Sequence, residues 1–388
     1  MAEAGRITLF LSALSGGGAQ RRMVTLANGF AASGYAVDLV PAVGEGTFAK
    51  ELREEVRVLP LDALPSRLAA ARRKKGLSVL AAVPSLAAYL RREQPAVVLS
   101  TSNPANVAVL LARELVRPRI PVAISVNVFL SVALRARGRG LLRRLVLATY
   151  PRADRMLAIS SAVARNLAEL FPNCREKLRT VYVPVDVARI QALAETEPEH
   201  PWFEEGGPPV VLAVGKLKPQ KDFPTLLRAF ARVGRPARLL VLGEGDLRDS
   251  LLRLAEDLGI ASRTSFPGFV ENPFPFFARA SVFVSTSLWE GFGNAVAEAL
   301  ACGCPVVATD CPGGTRELLD DGRYGVLVPV GDAAAVARAV ESVLDAPPDR
   351  AALRARAREF APERIVPRYL EVLREIRRAA AFSELEAR

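Results

Sequence analysis

Short runs of apolar, largely β-branched residues alternate along this chain with longer segments whose apolar positions recur every three to four residues. Runs at 7–13, 36–42, 56–61, 96–100, 122–126, 156–160 and 180–184 read as strands buried on both faces. Segments at about 21–32, 66–92, 104–116 and 161–171 read as the helices between them. The alternation then dissolves, and residues 194–209 are acidic and rich in proline and glycine, as a connection would be. A second series opens at 209–214 and continues with strands at 237–242, 264–266, 282–286 and 305–309, with 325–330 as a last short strand. Helices are expected at 332–345 and, long and amphipathic, at 363–380. Strand and helix in strict alternation predict an α/β fold of open parallel sheets covered on both faces. At 388 residues the chain exceeds what one core usually holds. The expected division is a domain over 1–190, a connection over 191–209, a domain over 210–362 and a final helix over 363–388.

The stretch 282–319 organises the rest. Its strand, loop, helix and strand form one βαβ unit, whose two strands must run parallel. The loop carries Gly291, Phe292 and Gly293, and the helix opens at Asn294 and stops at Cys302-Gly303. Glycines let backbone approach a ligand closely, and the free N–H groups of a helix start favour an anion. With Glu290 before the helix and Glu298 on it, the loop suits a polyol phosphate: carboxylates for hydroxyls, backbone for phosphate.

Composition changes this picture in three ways. No apolar stretch is long enough to cross a bilayer, and the start does not read as a secretory signal, so a cytoplasmic protein is expected. Cysteines at 174, 302, 304 and 311 and a single histidine at 200 do not have zinc-site spacing; buried thiols and an exposed linker histidine without a partner are expected, and no metal site. The net charge of +11 is uneven, because residues 1–200 carry +12 and the remainder −1. Basic clusters at 72–75 and 135–144 lack interleaved aromatics, which argues against nucleic acid and for an anionic membrane surface, with a peripheral position on the inner face of the cell membrane.

Glu290-x7-Glu298 enclosing Gly-Phe-Gly-Asn, followed by Ala-Leu-Ala-Cys-Gly-x-Pro-Val-Val-Ala-Thr-Asp, resembles the retaining nucleotide-sugar glycosyltransferases of family 4, group 1. The resemblance implies the GT-B architecture, two Rossmann-like domains facing across a cleft, with the final helix crossing back to the first. It implies a nucleotide-diphosphate sugar donor, UDP- or GDP-linked, and a glycan or lipid-linked acceptor, with no other cofactor. By the same resemblance Glu298 holds the ribose hydroxyls and Glu290 lies beside the donor sugar. Gly215, Lys216 and Lys221 belong to the loop that contacts the diphosphate, with lysine at 216 where the family usually has arginine. Gly243 and Gly245 flank the nucleotide, the backbone at Val270 reads the base edge, and Gly17 and Gly18 form the loop under the donor phosphates. Asn127 stands where many members have histidine.

Cleaving a glycosyl phosphate builds negative charge on the departing diphosphate, which lysines and backbone N–H groups stabilise electrostatically. No Asp-x-Asp triplet that would hold a divalent cation occurs in the sequence. A metal-independent transferase is therefore expected, with Glu290, Lys216, Lys221 and Asn127 as its candidate catalytic groups. The alternatives are a non-catalytic nucleotide-sugar-binding protein, for which the missing histidine and Lys216 speak, and a nucleotide-sugar epimerase on the same fold, which would want more acid–base groups.

Overall fold

The computed structural model describes residues 5–14, 17–44, 46–61, 79–136, 140–204 and 206–386. Two compact units emerge, one made of residues 1–184 with 362–388 and the other of 185–361.

Among the described residues the first unit holds seven parallel strands: β1 (Ile7–Leu11), β2 (Val37–Pro41), β3 (Val56–Val58), β4 (Val97–Thr101), β5 (Val122–Val126), β6 (Arg155–Ala158) and β7 (Leu178–Thr180), in the order β3-β2-β1-β4-β5-β6-β7. β1 is buried throughout, with Leu9 in register between Leu39 and Leu99. Strand order reverses between β1 and β4, where open parallel sheets characteristically bind ligands beyond their carboxyl ends. The Pro362–Glu386 helix belongs to this unit and sinks Ile365, Val366, Tyr369, Leu370, Leu373 and Ile376 into its core. Its approach explains a glycine inside the Gly18–Ala32 helix: a Cβ at Gly29 would lie 2.6 Å from Val366 Cγ2. Arg155 and Arg179 both bind Glu375 on the long helix, Arg179 at 2.8 Å.

One buried charge lies inside the sheet. Asp38, fully buried on β2, accepts from Arg6 at 2.6 Å, from Arg57 at 2.9 and 2.7 Å, and from the Tyr89 hydroxyl at 2.6 Å. Burial alone would raise its pKa; the hydrogen bonds from Arg57, Tyr89 and Arg6 outweigh that and hold it below the usual carboxylate range.

The second unit holds β8 (Val210–Val214), β9 (Arg238–Leu242), β10 (Thr264–Gly268), β11 (Val282–Ser285), β12 (Val306–Thr309) and β13 (Val326–Val328), all parallel, ordered β10-β9-β8-β11-β12-β13. Phe223, Phe230, Leu239, Val241, Val284, Val307, Val336 and Val340 lie in its core. The Asn294–Cys302 helix ends on Gly303 at φ 73°, a left-handed cap.

Several elements differ from expectation. The first helix begins at Gly18 rather than 21. The last strand of the first unit is Leu178–Thr180, not 180–184. His200 is not a free linker residue: its Nδ1 accepts from the Trp202 amide at 3.2 Å, its Nε2 meets Ser265 Oγ at 3.2 Å, and Trp202 packs edge-on against it. The four cysteines are buried and unpaired, and burial pushes the Cys304 thiol up to about 12. Residues 62–78, including the basic cluster at 72–75, and 137–139 within the second cluster lie outside the described residues.

Candidate functional site

In the second unit the loops that leave the carboxyl ends of β8, β9, β11 and β12 knit together backbone to backbone. Gly215 N donates to Leu242 O at 2.9 Å, Leu217 N to Glu244 O at 2.9 Å and Gly243 N to Gly268 O at 2.7 Å. Only glycine fits at two of these crossings: a Cβ on Gly243 would lie 2.0 Å from Gly215 O, and one on Gly245 2.4 Å from Leu217 O. A similar crossing joins the β11 and β12 loops, where Glu290 N donates to Pro312 O at 2.9 Å and Gly314 N to Gly291 O at 3.1 Å.

Within this frame the side chains of the β8 and β11 loops meet. Lys221 Nζ lies 2.5 Å from Glu290 Oε1, and Ser287 Oγ donates to that same oxygen at 2.7 Å. Supporting bonds fix the two loops in register. Thr286 Oγ1 donates to the carbonyls of Lys221 and Asp222 at 3.0 Å, and Gln220 Nε2 to Trp289 O at 2.7 Å. Leu288 N donates to Gln220 O at 2.8 Å, and Thr309 Oγ1 to Ser287 O at 2.6 Å. Glu290 is buried, and Gly215 lies against the Lys221 stem.

Lys218, on the same loop, is exposed; desolvation, then Lys221 and Lys216, lowers its pKa, while Glu290 pulls the other way. Lys216, Lys218 and Lys221 thus lie on one loop, with Lys221 paired to Glu290. Lys216 is exposed.

The remaining expected residues of this unit fall at the same end of the sheet or just beyond it. Gly293, at φ 100°, starts the Asn294–Cys302 helix, whose first turn carries no acidic residue. Phe292 is buried against Phe360, Gly291 is half-buried and Asn294 exposed. Glu298 is half-buried on that helix, and Val270 is half-buried next to Phe269, which is 73% exposed.

The first unit brings its own polar group to the carboxyl ends of β4 and β5. Asn127, just past β5, accepts at its Oδ1 from Arg22 Nη2 at 2.7 Å and from Ser125 Oγ at 3.3 Å, and its Nδ2 donates to Thr101 Oγ1 at 2.5 Å. Arg22 Nη2 also donates to Thr101 Oγ1 at 2.7 Å. Gly17 and Gly18 open the helix that carries Arg22, Gly17 in extended backbone.

Sequence reasoning missed Lys218, Ser287 and Arg22. Lys218 sits between the two lysines that were singled out, and Ser287 three residues before Glu290, so both could have been found by proximity. Arg22 gave no local signal, because its partners are 79 and 105 residues away.

Two family models together match most of the chain. One, described as Glycosyltransferase Family 4, matches residues 16–189, and one described as Glycosyl transferases group 1 matches 196–360. The N-acetylgalactosamine-N,N'-diacetylbacillosaminyl-diphospho-undecaprenol 4-alpha-N-acetylgalactosaminyltransferase of Campylobacter jejuni is 33% identical over 198 residues, 50% of this chain and 52% of that protein. The lipopolysaccharide core biosynthesis glycosyltransferase LpsE of Rhizobium meliloti is 32% identical over 232 residues, 58% of this chain and 66% of its own length. The chain therefore spans 52 to 66% of the length of these two curated relatives. Among solved structures, Anabaena HepE in complex with UDP-glucose matches with a TM-score of 0.73 at 21% identity, covering 97% of this chain and 99% of that one. At that identity the likeness is one of fold.

Proposed function

Because the chain belongs to the GT-B glycosyltransferases of family 4, we propose that it moves a glycosyl unit from a nucleotide-diphosphate sugar to a glycan or lipid-linked acceptor, with retention and without a metal ion. The observation that carries this reading is the meeting of Lys221 and Ser287 on Glu290 beyond the carboxyl ends of β8 and β11.

The chemistry follows from that cluster. A donor diphosphate competes with Glu290 for Lys221, and the ammonium groups of Lys216, Lys218 and Lys221 stabilise the charge that grows on it as the bond to the anomeric carbon breaks. Glu290, held by Ser287, is then free to take a sugar hydroxyl and to face the positive charge developing at the anomeric centre. Glu298 holds the ribose, and the loop carrying Phe269 and Val270 borders the base. The departing phosphate oxygen accepts the proton of the attacking hydroxyl, so no histidine is required. Uracil is the preferred donor base, as in the UDP-glucose of the Anabaena neighbour; a lipid-linked acceptor is preferred because the Campylobacter relative is named for one.

A peripheral position on an anionic membrane face fits the basic first unit. Among the described residues no helix is long and apolar enough to cross a membrane. The Leu141–Thr149 helix leaves Leu141 62% exposed beside an exposed Arg144, a combination that suits a headgroup layer.

A non-catalytic nucleotide-sugar binder is the second reading, favoured by Asn127, whose side-chain oxygen and nitrogen are both engaged within the protein. Incubation with a panel of radiolabelled nucleotide sugars separates the two. Slow donor hydrolysis, or transfer with the donor's anomeric configuration kept, supports the enzyme; tight binding with neither supports the binder.

A further inference from the structure

We propose that the amino-terminal edge of β5, β6 and β7 in the first unit, beside the Pro362–Glu386 helix, is a binding site for a phosphate monoester with a short apolar body. It lies at the end of the sheet opposite Asn127 and does not depend on the glycosyltransferase reading. A cavity of about 410 Å³ opens there, within the range of roughly 300–1,000 Å³ usual for small-molecule sites. Its apolar lining includes Ile120 and Pro121 from the segment leading into β5, and Ile376 and Ala380 from the long helix. Three cations, Arg119, Arg155 and Lys177, share the lining with one carboxylate, Asp154.

That carboxylate is already committed. Asp154 Oδ2 accepts from Nη1 of the fully buried Arg113 at 2.8 Å and from the Val122 amide at 2.7 Å, and Arg119 comes no nearer to it than 3.7 Å. Arg155 binds Glu375, which it shares with Arg179, and its Nε is buried without a partner, an orphaned donor of the kind native structures rarely keep. Lys177 is half-buried and gives its Nζ to Pro151 O at 2.9 Å, with no carboxylate partner among the described residues. The lining thus carries an excess of two positive charges, and adding Arg113 and Arg179 with their partners Glu114 and Glu375 leaves that excess unchanged. A phosphate monoester, close to doubly negative at neutral pH, matches it, and a guanidinium is the side chain best fitted to phosphate oxygens. The apolar lining takes the rest of the ligand, which joins the strand edge to the final helix.

The test titrates hexyl phosphate into the full chain at saturating UDP, so that the donor lysines are occupied, with inorganic phosphate and hexanol as the two halves of the probe. Wild-type protein should bind hexyl phosphate at least tenfold more tightly than either half, and its Tm should rise when the probe is present. Arg119→Met/Lys177→Met removes the charge, and Ala380→Phe fills the cavity and leaves the charge in place. Each should weaken hexyl phosphate at least tenfold while UDP affinity stays within twofold. No binding by wild type, equal affinity for either half, or unchanged affinity in either variant overturns the proposal; if one variant does not fold, the other decides. Failure of wild type to bind UDP contradicts the donor reading instead, because the two variants locate the phosphate with or without UDP. Competition by dihexanoyl phosphatidic acid assigns the site to a phospholipid headgroup, and its exclusion assigns the site to a free phosphate ester.

Discussion

Glu290 gives one carboxylate oxygen to both Lys221 and Ser287, so its aim is set by groups on two loops. Replacing it by glutamine keeps the shape and removes the charge, and should lower kcat about a hundredfold, in the range of a lost transition-state electrostatic contact, with donor KM little changed. Glu298→Ala should do the reverse, raising donor KM with a smaller effect on kcat. Steady-state kinetics with varied donor checks both, and identical behaviour of the two variants would contradict the division of roles. Asp38 is a separate matter of stability. Its folded-state pKa lies below the value near 3.9 of an unfolded aspartate, so its bonds contribute fully above about pH 5 and are lost as pH falls through the lower folded value. Asp38→Asn should therefore reduce Tm at pH 7 and lose that deficit relative to wild type only as the buffer is taken well below the ordinary aspartate range, as thermal melts at stepped pH would show.

At the scale of elements, the Gly18–Ala32 and Pro362–Glu386 helices meet through Gly29 and Val366. Gly29→Ala overfills that contact, a change that typically costs about 1–3 kcal/mol and should lower Tm; Val366→Ala in the same chain should recover part of the loss, so that a double-mutant cycle reports coupling. Most strands could be read from sequence because both faces of a parallel sheet are covered, which leaves runs of apolar residues with little ambiguity. The misplacements have physical causes. β7 is an edge strand, and its ladder uses Leu178, Arg179 and Thr180, whereas the apolar residues just after it drew the reading past its end. The first helix starts on a glycine, a residue poor in helix propensity, so the pattern could not locate its beginning. In the site, Lys221 and Glu290 were legible through a motif, but Lys218 and Arg22 were not. Motif spacing does not say which way a loop lysine points, and nothing local marks an arginine whose partners lie on β4 and beyond β5.

At the scale of the whole molecule, the excess of positive charge in residues 1–200 is the long-range feature on which the proposed anionic surface rests. Changing Arg143 and Arg144 to glutamate should reduce co-sedimentation with anionic vesicles severalfold at low salt, each basic residue near such a surface contributing about 1 kcal/mol, and leave binding to neutral vesicles unchanged; equal sedimentation of variant and wild type would return these arginines to ordinary solvated charges. The central claim, however, concerns the second unit: its lysines take the place of a metal in holding a diphosphate. Calorimetric titration of UDP into the full chain with excess chelator tests it most directly. The account predicts binding that survives the chelator and weakens at least tenfold in Lys221→Met. Binding that requires an added divalent cation, or that is indifferent to Lys221, would contradict it.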